Sequence, residues 1–251
     1  MKKFLMQITG NRRRLVVCGL LGLLTGFCLL LVATQSMIPG SSFLHYRFLL
    51  WNLFLAWIPL GFALSAYERH RRGQRGIIVF LLGILWLLFF PNAPYIISDF
   101  VHLVWRKSTP DEFRFWHYLV TLTSFAWTGL LLGFASLYLM QRIIQERIGR
   151  VMGWLITFSV LALSGFGIYL GRFGRWNSWD VLREPVGLTM DIANRLLDPL
   201  AHYETWGFTL LFGGLLIFLY VVMYSFLILV QEHRSDSTRI TQGLSTTTHQ
   251  V

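Results

Sequence analysis

Asp99 and His102 stand three residues apart, a spacing that on a helix puts a carboxylate and an imidazole on one face. There the carboxylate can orient the imidazole for proton transfer, or both can ligate a divalent cation. Asp198 and His202 repeat the pairing at a spacing of four, interrupted by Pro199, and His117 is a further candidate. Drawn together, two carboxylates and two histidines would suit zinc, so Asp99, His102, Asp198 and His202 are the metal candidates, although no HExxH or CxxC pattern assigns a metal to them. A second constellation runs from Arg172 through Arg175, Asn177 and Asp180, interleaved with Trp176 and Trp179. Guanidinium groups grip phosphate or carboxylate, and tryptophan suits a headgroup zone or a sugar face. Asp99, His102 and Asp180 are therefore the candidate catalytic groups, and Asn92, Arg172, Arg175, Trp176, Asn177 and Trp179 the candidate substrate contacts. The competing reading makes all of them interfacial caps and Arg–Asp pairs, the ordinary use of such residues at helix ends.

What must hold these groups is a set of membrane helices. Apolar residues make up 55% of the chain, and they segregate into six runs, 15–33, 48–67, 76–97, 118–140, 151–171 and 206–230, none of which contains Asp, Glu, Lys or Arg. Each run is long enough to cross about 30 Å of hydrocarbon. The sequence thus predicts an all-α, polytopic membrane protein with one six-helix domain over 15–230. It lies between a basic segment, 1–14, and a polar tail, 231–251, whose Ser, Thr and Gln content from Ser235 onward suits disorder. The first run follows five basic residues but is too long for a signal core, and Ala33-Thr34-Gln35 is a poor cleavage site.

The third run breaks at Pro91 and Pro94 and delivers Asn92, Ser98, Asp99 and His102 to its edge. Each proline removes a backbone donor, so the carbonyls of Leu87 and Phe90 lose their helical partners, and hydrocarbon offers no replacement. Something polar is expected beside the bend.

Charge orients the bundle. With six crossings both termini share a side, and that side holds 14 of the 22 Lys and Arg but only 4 of the 12 acids. The whole formal charge of +10 thus falls on one face, which predicts an inner-membrane protein with cytoplasmic termini and the Asp99 and Arg172 segments facing outward. The same segregation assigns the surplus charge to anionic lipid headgroups and leaves no basic folded face for nucleic acid. Cys18 and Cys28, ten residues apart on one helix, are about 15 Å apart and cannot pair.

The connections 34–47 and 141–150 are short and imply antiparallel neighbours, whereas 172–205 contains a helix-like stretch from Pro185 to Pro199. Its Leu188, Ile192, Ala193, Leu196 and Leu197 fall on one face and Asp191, Asn194, Arg195 and Asp198 on another, the pattern of an amphipathic helix lying in the interface. Glycines recur at four-residue intervals as Gly22/Gly26, Gly129/Gly133 and Gly167/Gly171, which suits close helix packing in lipid.

Three segments together, Phe90-Pro91-Asn92-Ala93-Pro94-Tyr95-Ile96-Ile97-Ser98-Asp99 with His102, Ser124-Phe125-Ala126-Trp127-Thr128-Gly129, and Gly171-Arg172-Phe173 through Arg175-Trp176-Asn177-Ser178-Trp179-Asp180, resemble the bacterial membrane-protein family catalogued as domain of unknown function 1361. The likeness covers roughly 45–230 and implies an integral membrane protein without assigning an activity. The residues leave three functions open: binding or processing of lipid or envelope-precursor headgroups at an outward pocket, transport through the broken third helix, and a non-catalytic scaffold. The absence of charge within every run speaks against ion-coupled transport.

Overall fold

The computed structural model describes the backbone of residues 2–35, 46–74, 76–106 and 112–247, and the side chains of 14–35, 46–74, 76–103 and 112–229. Helix follows helix, and the described residues contain no strand. In order they are α1 (Lys2–Gln35), α2 (Arg47–Arg71), α3 (Ile77–Phe89), α4 (Asn92–Tyr95), a 3₁₀ segment (Ile96–Phe100), α5 (Val101–Arg106), α6 (Glu112–Ile148), α7 (Arg150–Arg172), α8 (Asp180–Arg183), α9 (Pro185–Leu197) and α10 (Tyr203–Thr247). Six spans are long and apolar enough to cross a membrane: α1, α2, α3 continued through the break to Leu103, α6, α7 and α10. α10 runs on through the Ser- and Thr-rich segment to Thr247.

Helices in lipid gain nothing from hiding apolar surface from apolar solvent, so their arrangement must come from close packing and polar contacts. α6 shows this. It is the least apolar span (mean hydropathy 1.5) yet the most enclosed, with 61% of its central stretch buried, whereas α1 has a mean hydropathy of 2.7 and is 17% buried. One core layer lies against α1 and α2 (Cys28, Leu49, Leu53, Phe125) and the other against α3, α7 and α10 (Trp86, Phe90, Ile168, Tyr220). α6 contributes to both.

Glycines allow the closest approaches. A Cβ on Gly129 would stand 2.6 Å from Ala93 O, and one on Gly167 would stand 2.9 Å from the Pro91 ring. Gly133 and Gly171 press on Ala93 and Tyr95 in the same way. Two of the three glycine pairs thus seat the broken helix from opposite sides, while Gly22 and Gly26 have nothing within 4 Å of where a Cβ would be.

Polar contacts fix the two ends of the bundle. At one end Arg14 pairs with Glu68 at 2.8 Å and His70 with Glu146 at 2.9 Å, joining α1 to α2 and α2 to α6. At the other, Thr34 and Gln35 meet His117, and Arg172 meets Asp99. The reversal between α6 and α7 takes a single residue, Gly149 at φ +98°, in place of the ten-residue connection expected over 141–150.

Candidate functional site

The site grows out of the way the chain repairs its own break. Pro91 and Pro94 have no N–H to give, so α3 stops at Phe89 and the chain tightens into short turns that keep right-handed helical dihedrals. The carbonyl of Phe90, expected to lack a partner, accepts from Ala93 N at 3.1 Å. That shift to a three-residue bond leaves the preceding carbonyls to side chains. Asn92 Nδ2 donates to Phe89 O and Ser178 Oγ to Leu88 O, each at 2.9 Å, and Asn92 also donates to Ser178 Oγ at 2.9 Å. Ser178 therefore pins the connection after α7 onto the bend.

One turn further along, Asp99 is 1% exposed and both its carboxylate oxygens are engaged, Oδ1 by Arg172 and Oδ2 by Asn52 Nδ2 at 2.9 Å. Arg172 also donates to Ser98 Oγ, and its guanidinium lies 4.6 Å from the centre of the Tyr95 ring. Ser98 in turn donates to Tyr95 O at 2.7 Å. The net result is a neutral, closed cluster that ties the end of α7 to the broken helix and to α2.

Beside it, between α2, the break and α7, lies a cavity of about 300 Å³. Asn52, Asn92, Asn177, Ser178 and Ser164 give it polar groups, Trp51, Tyr95 and Trp176 aromatic ones, and leucines such as Leu87 and Leu163 an apolar wall. Among the described residues, no Asp, Glu, Lys, Arg or His side chain lines it. α8 and α9 form its outer side through Val181, Leu188 and Ile192. α9 divides its apolar face, Leu188 and Ile192 lining the cavity. Asp191 and Arg195 face the protein, Asp191 accepting from Trp176 Nε1 at 2.8 Å and Arg195 reaching Tyr169 and Thr205, while Leu196 and Leu197 are exposed.

Not every candidate joins. His102 packs its ring 4.8 Å from Phe48 and forms neither ion pair nor hydrogen bond with Asp99 among the described residues. Asp180 closes a local turn, accepting from Asn177 N at 2.7 Å, rather than reaching Arg172. Arg175 is exposed at φ +60°, and Trp179 packs against Trp51 with ring centres 6.0 Å apart. Asp198 Oδ1 caps Ala201 N at 3.1 Å, and His117 sits at the contact of α1 with α6. Among the described residues no three of His, Cys, Asp and Glu come together to hold a metal ion. Asn52 and Ser164 belong to the site but were not singled out from the sequence, whereas Ser98 stood out at the edge of the break and Ser178 entered only within the resembling segment. Asn52 carried a usable signal, being the only side-chain amide in the run 48–67.

A family model described as "Protein of unknown function (DUF1361)" matches residues 51–219. The chain belongs to this family. Neither a curated protein nor a solved structure matches it significantly. The matched stretch begins at Trp51 and so takes in the whole cavity and the Asp99–Arg172 pair, leaving α1 and the end of α10 outside.

Proposed function

We propose that this protein binds the polar end of an amphiphile at the cavity beside the helix break. The observation that carries the reading is the cavity's lining: uncharged hydrogen-bonding groups and aromatic rings on one side, leucine-rich helix surface on the other, within a bundle whose outer surface suits lipid. A headgroup would meet Asn52, Asn92, Asn177 and Ser178, and the start of its chain would lie along α3 and α7. Arg172 and Asp99 act here as positioning residues, holding α7 against the break. Their charges neutralise one another, and His102, within electrostatic reach of both, packs on Phe48 without a hydrogen bond to Asp99, so the geometry favours binding over hydrolysis. The distribution of basic residues supports cytoplasmic termini, with this cavity then at the outer leaflet of the cell membrane.

The test is a cavity plug. Ile192→Trp fills the space from the α9 side without touching the break. Protein purified from membranes and exchanged into amphipol is expected to retain about one amphiphile per chain by native mass spectrometry, and Ile192→Trp is expected to lose it with an unchanged melting temperature. Equal retention by both proteins, or none by either, would remove the reading.

A further inference from the structure

Ser164 sets the chemistry of whatever enters. Hydroxyls on membrane helices ordinarily donate to the carbonyl one turn back, and Thr128, Thr157, Thr209 and Ser225 all do so here. Ser164 does not. It is 1% exposed, lines the cavity, and its Oγ has no hydrogen-bond partner among the described residues. A buried hydroxyl left unpaired costs stability, so a site that keeps one is built to be completed from outside. Ser164 is eight residues from Arg172, about 12 Å along α7, which puts this hydroxyl at the inner end of a cavity whose mouth carries Asn177 and Ser178.

Among the described residues, the charged groups nearest the cavity either pair with one another or, like the exposed Arg175, line no part of it. Arg172 is engaged by Asp99 and Ser98, and Arg195 by Asp191, which also takes the Trp176 N–H. A phosphate or sulfate in the cavity would therefore lose its hydration without gaining a cation. Amides and hydroxyls, by contrast, both donate and accept, which is what a ring of hydroxyl groups requires. Trp51, Tyr95 and Trp176 add faces against which the C–H side of such a ring can lie.

We propose that the cavity selects an uncharged, hydroxyl-rich headgroup, a glycosyl or polyol unit, with Ser164 Oγ as the hydrogen-bonding group at its inner end. This inference rests on the amphiphile reading above and narrows it to a substrate class. Binding to the amphipol-held protein is measured for octyl glucoside, octyl phosphocholine and octyl sulfate, each below its micelle-forming concentration, and for free glucose. Octyl glucoside is expected to bind at least about tenfold more tightly than either charged probe, whose desolvation goes uncompensated. Ser164→Ala is expected to weaken octyl glucoside about fivefold, the worth of one hydrogen bond. It should leave octyl phosphocholine and the melting temperature unchanged, since no bond within the protein is lost. Equal or tighter binding of a charged probe, or a Ser164→Ala protein indistinguishable from wild type, overturns this inference and leaves the amphiphile reading standing. Free glucose binding as tightly as octyl glucoside upholds the hydroxyl chemistry and removes the amphiphile reading. Failure of every probe to bind overturns both.

Discussion

Arg172 closes the end of α7 over the broken helix with all of its charge committed, to Asp99, to Ser98 and to the face of Tyr95. A guanidinium and a carboxylate taken out of water each cost several kcal/mol, which only their mutual attraction and added hydrogen bonds offset. Deleting one partner strands the other. Arg172→Met is expected to lower the unfolding free energy by about 3–5 kcal/mol, and Asp99→Leu combined with Arg172→Met is expected to lose less than Arg172→Met alone. Denaturant unfolding in mixed micelles reads both, and a simply additive loss would show that the two residues do not couple. The chemical types of this pair are plain in the sequence, but their helpers are not. Asp180 looked like the fourth member because its charge complements Arg172, yet it had a partner three residues away in Asn177. A short-range cap forms without the fold, so it takes such a group before any distant cluster can.

At the scale of elements, the break is a division of labour between backbone and side chains. Proline substitution should reverse it: Pro91→Ala with Pro94→Ala lets the helix run straight, and the N–H groups of Asn92 and Ala93 return to the carbonyls of Leu88 and Phe89. Asn92→Ala is then expected to cost about 1 kcal/mol in the wild-type background and close to nothing in the double-alanine background, the difference being the hydrogen bonds Asn92 now supplies. Equal costs in both would mean that Asn92 does not repair the break. Glycine gives a second prediction. Gly129→Ala and Gly167→Ala should each lower the melting temperature in nanodiscs by several degrees, because the new methyl meets Ala93 O at 2.6 Å or the Pro91 ring at 2.9 Å. Gly22→Ala and Gly26→Ala should not lower it, and a drop as large as that of the other two would mean that the contacts around the break are not what those glycines serve. In the sequence the three glycine pairs look alike, since four-residue spacing says only that a face is smooth. What presses on that face is decided by the neighbouring helix.

For the molecule as a whole, the six spans were readable because the bilayer imposes a length and a polarity that few other environments demand. The order of burial among them was not. α6 ends up central since it carries glycine, serine and threonine where close approach is needed, and those residues lower its apolar signal. Orientation is testable directly: in a background with Cys18 and Cys28 replaced by Ala, a cysteine at the exposed Thr189 is expected to react with an impermeant thiol reagent in intact cells, and one at the exposed Gln74 is not. The reverse pattern would place the cavity on the cytoplasmic side. Mechanically, Gly149 has the last word on how the cavity is framed. A connection of one residue holds no slack, so α7, which walls the cavity, and α6, which seats the bend, turn as one rigid bracket. Inserting a single residue there would rotate one arm of that bracket by about 100° against the other and unframe the cavity at its far end, although the insertion itself lies on the opposite side of the membrane.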